Sequence, residues 1–405
     1  MARPIRMATV YTGLGIGGDE NRLLHYLTHR DKDAFEHLVT VVLDSSDDFE
    51  ASSGRIRHRY EAHQVDIVSL REKPFRSRRP LPQPLAALRQ ANTFVRVVRR
   101  LARIFVERRI DVVDTRLSMG TLVGAAAARL AGIKAVVATN YGTAHWDRFG
   151  WRLLGQSSFA MVDTLVSDSQ ARLTEMARWA RFPPICTHVP NGVPRPVPER
   201  SAAVVRQELG IGPDAFVIGQ VARLQPYKGQ MHLINAAPAI LAARPDAHIL
   251  ICGYVQRQEA YRQRLLSRIE ALGLGHAITL VSYPGAVGDI WGVIDLHAHP
   301  TERDSSPIAL MEAMSLGKPS VSTDVGGIAE IVVDGRSGRV LPAGDLTGIT
   351  DALVDLATDE EKRAQFGAEA HARYQAQHLP EMMTRRMEAI YRAAHERAQA
   401  RRRGH

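Results

Sequence analysis

Short apolar runs alternate with segments of helical period along nearly the whole chain, and this alternation limits the fold more than any other feature. Residues 7–11, 37–43, 65–70 and 111–115, then Ala135–Thr139 and Thr164–Ser167, read as strands. Between them lie helical patterns. One covers 85–109, where Leu88, Val95, Val98, Ala102 and Phe105 recur at i, i+3/i+4 spacing. Strands that each feed a helix pair in parallel and are covered on both faces. Residues 183–200 then hold six prolines in 18 positions. Proline restricts φ and removes a ladder donor, so this stretch reads as a linker. The alternation restarts after it with "FVIGQVAR", "HILICG", "AITLVS", "IDLHAHP" and "PSVSTD". The predicted fold class is therefore α/β, with two tandem Rossmann-like parallel-sheet domains facing across a cleft. The predicted domains are 1–190, 191–380 and a C-terminal helix over 381–405 that packs back on the first domain and ends in a frayed basic tail.

Composition excludes several classes. The 405 residues are 45% hydrophobic and 23% charged, as in a globular enzyme. "MARPIRMATVY" carries no signal-peptide apolar core, so a cytoplasmic location is expected. Two cysteines, Cys186 and Cys252, read as unpaired thiols. Charge is uneven: residues 1–200 hold 30 Lys and Arg against 20 acids, and 201–405 hold 22 against 23. The excess concentrates in 71–110, with 12 basic and two acidic residues. That stretch lacks interleaved aromatics, which argues against nucleic acid. An ordinary solvated arginine face explains it, and so does an anionic acceptor or the inner face of a membrane bound peripherally.

Gly13, Gly15 and Gly18 spell G-x-G-x-x-G after a strand, and Asp44 closes the next apolar run. This is the layout of a dinucleotide fold. Asp19 and Glu20 follow directly, however, and two carboxylates at a helix N-terminus repel a pyrophosphate seated there. They suit sugar hydroxyls instead, on the acceptor side.

The second half carries a more specific set. "GQVARLQPYKGQ" places Arg223 after a strand and Lys228 before a helix, converging cations suited to a diphosphate. Residues 300–321 read "PTERDS" and then "SPIALMEAMSLGKPSV", where Ser306 is expected to cap a helix that starts at Pro307. The amides of Ile308 and Ala309 then face an anion. Asp304 precedes this end, and Glu312 lies on an otherwise apolar helix, where a carboxylate needs partners such as ribose hydroxyls. Two decoys stand beside these. His297 and His299 form H-x-H on one strand face but lack the further ligands of a metal site. Asp31 and Asp33 form D-x-D in a polar loop and read as solvated.

These segments together resemble the retaining nucleotide-sugar-dependent glycosyltransferases of family 4, which have the GT-B fold. The resemblance runs through "GIGGDENRLL", "VPNGV", "ARLQPYKG", "SPIALMEAMSLGKPSV" with Asp304 just before it, "DVGGIAEIV" and "DGRSG", nearly the whole chain. It implies that Arg223 and Lys228 bind the donor diphosphate, with the backbone of Gly17 and Gly18 nearby. It implies that Glu312 binds ribose and that Asp304, in place of the usual Glu, contacts the transferred sugar. The family commonly has a His where this chain has Asn140. Asn140 and His145 are therefore the catalytic candidates beside Asp304. The implied reaction moves a sugar from a nucleotide diphosphate, a UDP-sugar rather than a GDP-sugar, to a saccharide, lipid-linked or small-molecule acceptor in polysaccharide biosynthesis. No essential metal and no other cofactor are expected. A sugar-nucleotide epimerase on the same fold and a non-catalytic donor-binding subunit are the rival readings.

Overall fold

The computed structural model describes residues 3–13, 18–41, 59–70, 83–139, 156–179, 184–253 and 258–403, without the side chains of 41, 83–90 and 177–179. The chain divides into two compact units, Met1–Gly192 with Pro380–His405, and Val193–Leu379.

The first unit is built on seven strands: β1 (Ile5–Tyr11), β2 (Phe35–Val41), β3 (Asp66–Ser69), β4 (Val112–Arg116), β5 (Ala135–Thr139), β6 (Thr164–Ser167) and β7 (Ile185–His188). They pair in parallel in the order β3-β2-β1-β4-β5-β6-β7. Every residue of β4, β5 and β6 is buried, apolar in most of β5 and polar in Asp114, Thr115 and Arg116 of β4. Helices Gln83–Glu107 and Leu117–Leu130 cover one face, burying Val97, Leu101 and Phe105. Helices Gly18–His29 and Pro380–Arg403 cover the other, burying Leu23, Tyr26, Met387 and Tyr391.

Four sequence expectations change here. The stretch 183–200 is not linker throughout, because Ile185–His188 forms the edge strand β7. Prolines are tolerated beside an edge strand, whose outer donors need no partner. The long helix runs from Gln83 to Glu107 rather than 85 to 109, since Arg109 takes φ +52. Val95 is exposed, not on the core stripe, whereas Val98, Ala102 and Phe105 are buried as expected and are joined there by Val97 and Leu101. Asp31 does not merely face water: its Oδ1 accepts from the amides of Asp33 and Ala34 and shapes the turn into β2.

The second unit has six parallel strands: β8 (Phe216–Val221), β9 (Ala247–Cys252), β10 (Ile278–Val281), β11 (Leu296–His299), β12 (Ser320–Thr323) and β13 (Gly338–Leu341). Their order is β10-β9-β8-β11-β12-β13. The strand β13 has four residues, "GRVL", only two of them apolar, and periodicity alone does not mark it. Helices Gln230–Ala243 and Leu346–Thr358 pack Leu233, Ile240 and Leu353 on one face. Trp291 and Val205 lie in the cluster on the other. Both cysteines are free thiols. Among the described residues, no helix is long and apolar enough to cross a membrane.

Candidate active site

Strand order reverses in the second unit between β8 and β11, and the loops leaving their C-terminal ends carry the expected donor residues. Open parallel sheets bind ligands at such a switch point. After β8, the loop through Pro226–Lys228 is fixed by two fully buried glutamines. Gln220 Nε2 donates to the Lys228 carbonyl at 2.6 Å, and Gln230 Nε2 donates to the Arg223 carbonyl at 2.9 Å. Tyr261 donates in turn to Gln230 Oε1 at 3.2 Å. The backbone of both cationic residues is therefore held, while the Arg223 side chain is exposed.

The loop after β11 lies against the first. The amide of Glu302 and the hydroxyl of Thr301 both donate to the Tyr227 carbonyl. Gly229 has φ +75, and a Cβ there would stand 1.9 Å from the Pro300 oxygen. Only glycine permits both the left-handed turn and this approach. Asp304 is the meeting point: its Oδ2 lies 2.5 Å from Lys228 Nζ and 3.1 Å from His299 Nε2, and its Oδ1 accepts from the Ser305 amide at 3.1 Å. Burial alone would raise this carboxyl, but the His299 and Lys228 donors hold it well below the usual carboxylate range.

The helix Ile308–Ser315 starts one residue later than expected. Pro307 is its cap, with ψ 124, and makes no side-chain cap bond. A proline lacks the N–H that would distinguish the cap from the first helical position, so the sequence fits both. The amides of Ile308 and Ala309 remain at the free end of the helix. Glu312 on the second turn is half-buried, and its Oε2 accepts from Trp291 Nε1 at 2.9 Å. Burial pushes this carboxyl up, and the indole donor partly offsets it. Among the described residues its Oε1 has no partner. The H-x-H pair is a core pair: His297 bonds Ser320 Oγ and packs edge-on against Trp291, and His299 reaches Asp304. Among the described residues, no three His, Cys, Asp or Glu side chains cluster as metal ligands.

In the first unit the switch point lies between β1 and β4. Gly18 opens the helix Gly18–His29, with Asp19 and Glu20 in its first turn. Asp19 Oδ1 accepts from Arg116 Nη1 at 3.1 Å, while among the described residues the buried Asp19 Oδ2 has no partner. Gly17, Asp44, Asn140 and His145 lie outside the described residues. Sequence reasoning missed Arg116, Gln220, Gln230, Trp291 and His299. Their signal is a polar residue inside an otherwise apolar strand or helix next to a loop that carries charge.

Comparison with known proteins places this geometry. A family model described as glycosyl transferases group 1 matches residues 202–373, and one described as glycosyltransferase family 4 matches 51–195. A GDP-mannose-dependent monoacylated alpha-(1-6)-phosphatidylinositol monomannoside mannosyltransferase of Corynebacterium glutamicum is 29% identical over 309 residues, 72% of this chain and 78% of that protein. A D-inositol 3-phosphate glycosyltransferase of Corynebacterium urealyticum is 33% identical over 187 residues, 44% of each chain. The structure of Anabaena Alr3699/HepE in complex with UDP and glucose superposes with a TM-score of 0.77 at 20% identity, covering 96% of this chain and all of that one. A sucrose-phosphate synthase from Thermosynechococcus elongatus superposes with 0.75 at 17% identity, covering 97% and 99%. The chain belongs to the family 4 glycosyltransferases of the GT-B fold and is a nucleotide-sugar glycosyltransferase.

Proposed function

We propose that the protein transfers a hexose from a nucleoside diphosphate sugar to a saccharide or lipid-linked acceptor with retention of anomeric configuration. The observation that carries this reading is the convergence at the second switch point. Arg223, Lys228 and the helix end at Ile308 lie on loops that leave neighbouring parallel strands, with Glu312 one turn further. The departing diphosphate develops negative charge, and the two cations and the amides of Ile308 and Ala309 stabilise it. Glu312 takes the ribose, its carboxylate aimed by Trp291. Asp304 is hydrogen-bonded at both oxygens and lies next to the sugar rather than acting as a covalent nucleophile. This supports same-face attack assisted by the leaving phosphate, with no protein nucleophile. UDP is the first base to test and GDP the second, since the Corynebacterium glutamicum relative is named for GDP-mannose.

Calorimetry separates the two binding roles. Arg223→Ala should weaken both pyrophosphate and nucleoside diphosphate, by about 1.5–3 kcal/mol. Glu312→Ala should weaken the nucleoside diphosphate alone. Equal affinities in all three proteins would move the donor site elsewhere. An inverted product anomer, read by NMR, would overturn retention.

The acceptor reading rests on the first unit. Asp19 and Glu20 lie at the head of its first helix, where carboxylates suit hydroxyl donors. The exposed face of helix Gln83–Glu107 carries Arg96, Arg99 and Arg103 with Val95 44% and Val106 61% exposed. Cations beside exposed apolar side chains suit a peripheral anionic membrane surface. Sedimentation with vesicles should require anionic lipid and fall as salt rises, and Arg99→Glu/Arg103→Glu should abolish it. Binding that ignores both lipid charge and these residues would leave this face as solvated surface.

A further inference from the structure

The two cations of the donor site are not equivalent. Arg223 has an exposed side chain, and among the described residues no group pairs with its guanidinium. Lys228 is already neutralised: its ammonium lies 2.5 Å from Asp304 Oδ2, with the lysine 12% and the aspartate 17% exposed. A diphosphate that recruits Lys228 must compete with a carboxylate that is covalently part of the protein. We propose that Asp304 is an internal counter-ion that competes with the donor diphosphate for Lys228, and that His299 retains the carboxylate when the lysine moves. This rests on the reading of Arg223 and Lys228 as diphosphate ligands.

The surroundings decide which partner moves. The Asp304 backbone is pinned from behind. Gly326, at φ +58, would place a Cβ 2.0 Å from the Asp304 oxygen, and the Gly327 amide donates to Ser305 O at 2.7 Å. The Lys228 carbonyl is pinned by Gln220. The exchange is therefore confined to the flexible lysine stem. His299 sits on the buried strand β11, 2% exposed, and donates Nε2–H to the same oxygen that Lys228 uses, while among the described residues its Nδ1 has no partner. Burial keeps this imidazole neutral, so it holds Asp304 as a hydrogen-bond donor without replacing the lysine's charge. The carboxylate left behind stays anionic and anchored where the transferred sugar meets it. An aspartate, shorter than a glutamate, stays within reach of a histidine five residues earlier on the strand.

The test is calorimetry with UDP, GDP and pyrophosphate on folded variants checked by melting temperature. Asp304→Asn frees Lys228 and should bind every one of these ligands that the wild type binds about tenfold more tightly, ~1.4 kcal/mol, while turnover of the sugar nucleotide falls. The gain should vanish in Asp304→Asn/Lys228→Met. Unchanged or weaker binding by Asp304→Asn, with Arg223→Ala weakened as expected, overturns the counter-ion. A gain that survives in the double variant overturns it too. If Arg223→Ala and Lys228→Ala both bind normally, the diphosphate reading itself fails. His299→Ala should lower turnover at saturating donor, and His299→Gln, which keeps an N–H donor, should restore it. Failure of glutamine to rescue, at a wild-type melting temperature, overturns the retaining role of His299.

Discussion

Arg116→Ala should lower the unfolding free energy by about 3–5 kcal/mol, because it strips a buried carboxylate of its counter-ion. Arg116 is 1% exposed and Asp114 fully buried, on the central strand β4. Arg116 donates Nε and Nη2 to Asp114 Oδ2 at 2.9 and 2.7 Å, and Nη1 to Asp19. The Asp114 oxygens otherwise accept from the hydroxyls of Thr139 and Tyr391, which carry no charge. Burial already raises the Asp114 carboxyl, with Arg116 opposing it. Removing the guanidinium raises it further. A carboxyl raised in the folded state binds more protons there than in the unfolded chain, so its cost appears above the unfolded value and grows with pH. Urea unfolding should therefore find the variant less impaired at pH 5 than at pH 8. Arg116→Met/Asp114→Leu should recover much of the loss, since two apolar residues leave no buried charge. An equal deficit at both pH values would place the energy in packing rather than in the ion pair.

Gly229→Ala should cost about 1–2 kcal/mol for the left-handed backbone alone, and about 1–3 kcal/mol more from overpacking. The added methyl meets the Pro300 oxygen, a backbone atom that cannot rotate away. The damage is local to chemistry, because one side of the contact carries Lys228 and the other leads to Asp304. Diphosphate affinity should collapse together with the second unit's stability. As a control, Gly273→Ala combines φ +68 with no neighbour within 4 Å, so it should show the backbone cost without the loss of binding. Matching losses of affinity at both positions would show that the contact with Pro300 is not what shapes the site.

The architecture was legible because buried parallel strands leave a direct trace, as in "AVVAT" and "HILIC". Arg223, Lys228 and Glu312 stand out in the sequence as charges placed against the local apolar pattern, and the structure puts them on elements that follow β8 and β11. Edge elements were not. Ile185–His188 is a strand because β6 offers it a ladder, and its proline neighbours hide that. Gly338–Leu341 owes its place to β12 in the same way. The supports of the site were also hidden. His299 looks like half of a metal motif until the strand brings its ring to Asp304. Trp291 reads as plain core until its indole meets Glu312 from 21 residues away. Neither contact follows from any local period.

The first unit takes its last helix, Pro380–Arg403, from the far end of the chain. Tyr391 reaches Asp114 across 277 residues of sequence, and Met383, Met387, Ala394 and Ala398 complete the core beside Tyr26 and Phe35. During synthesis the second unit, continuous from Val193 to Leu379, leaves the ribosome whole while the first still lacks this wall. Biogenesis thus runs out of order: the half that begins first finishes last, with its apolar face waiting for the closing residues. Chaperone dependence and sensitivity to premature termination should therefore fall on the first unit, and a stop codon shortly before residue 380 should yield a soluble second half tethered to an aggregation-prone first.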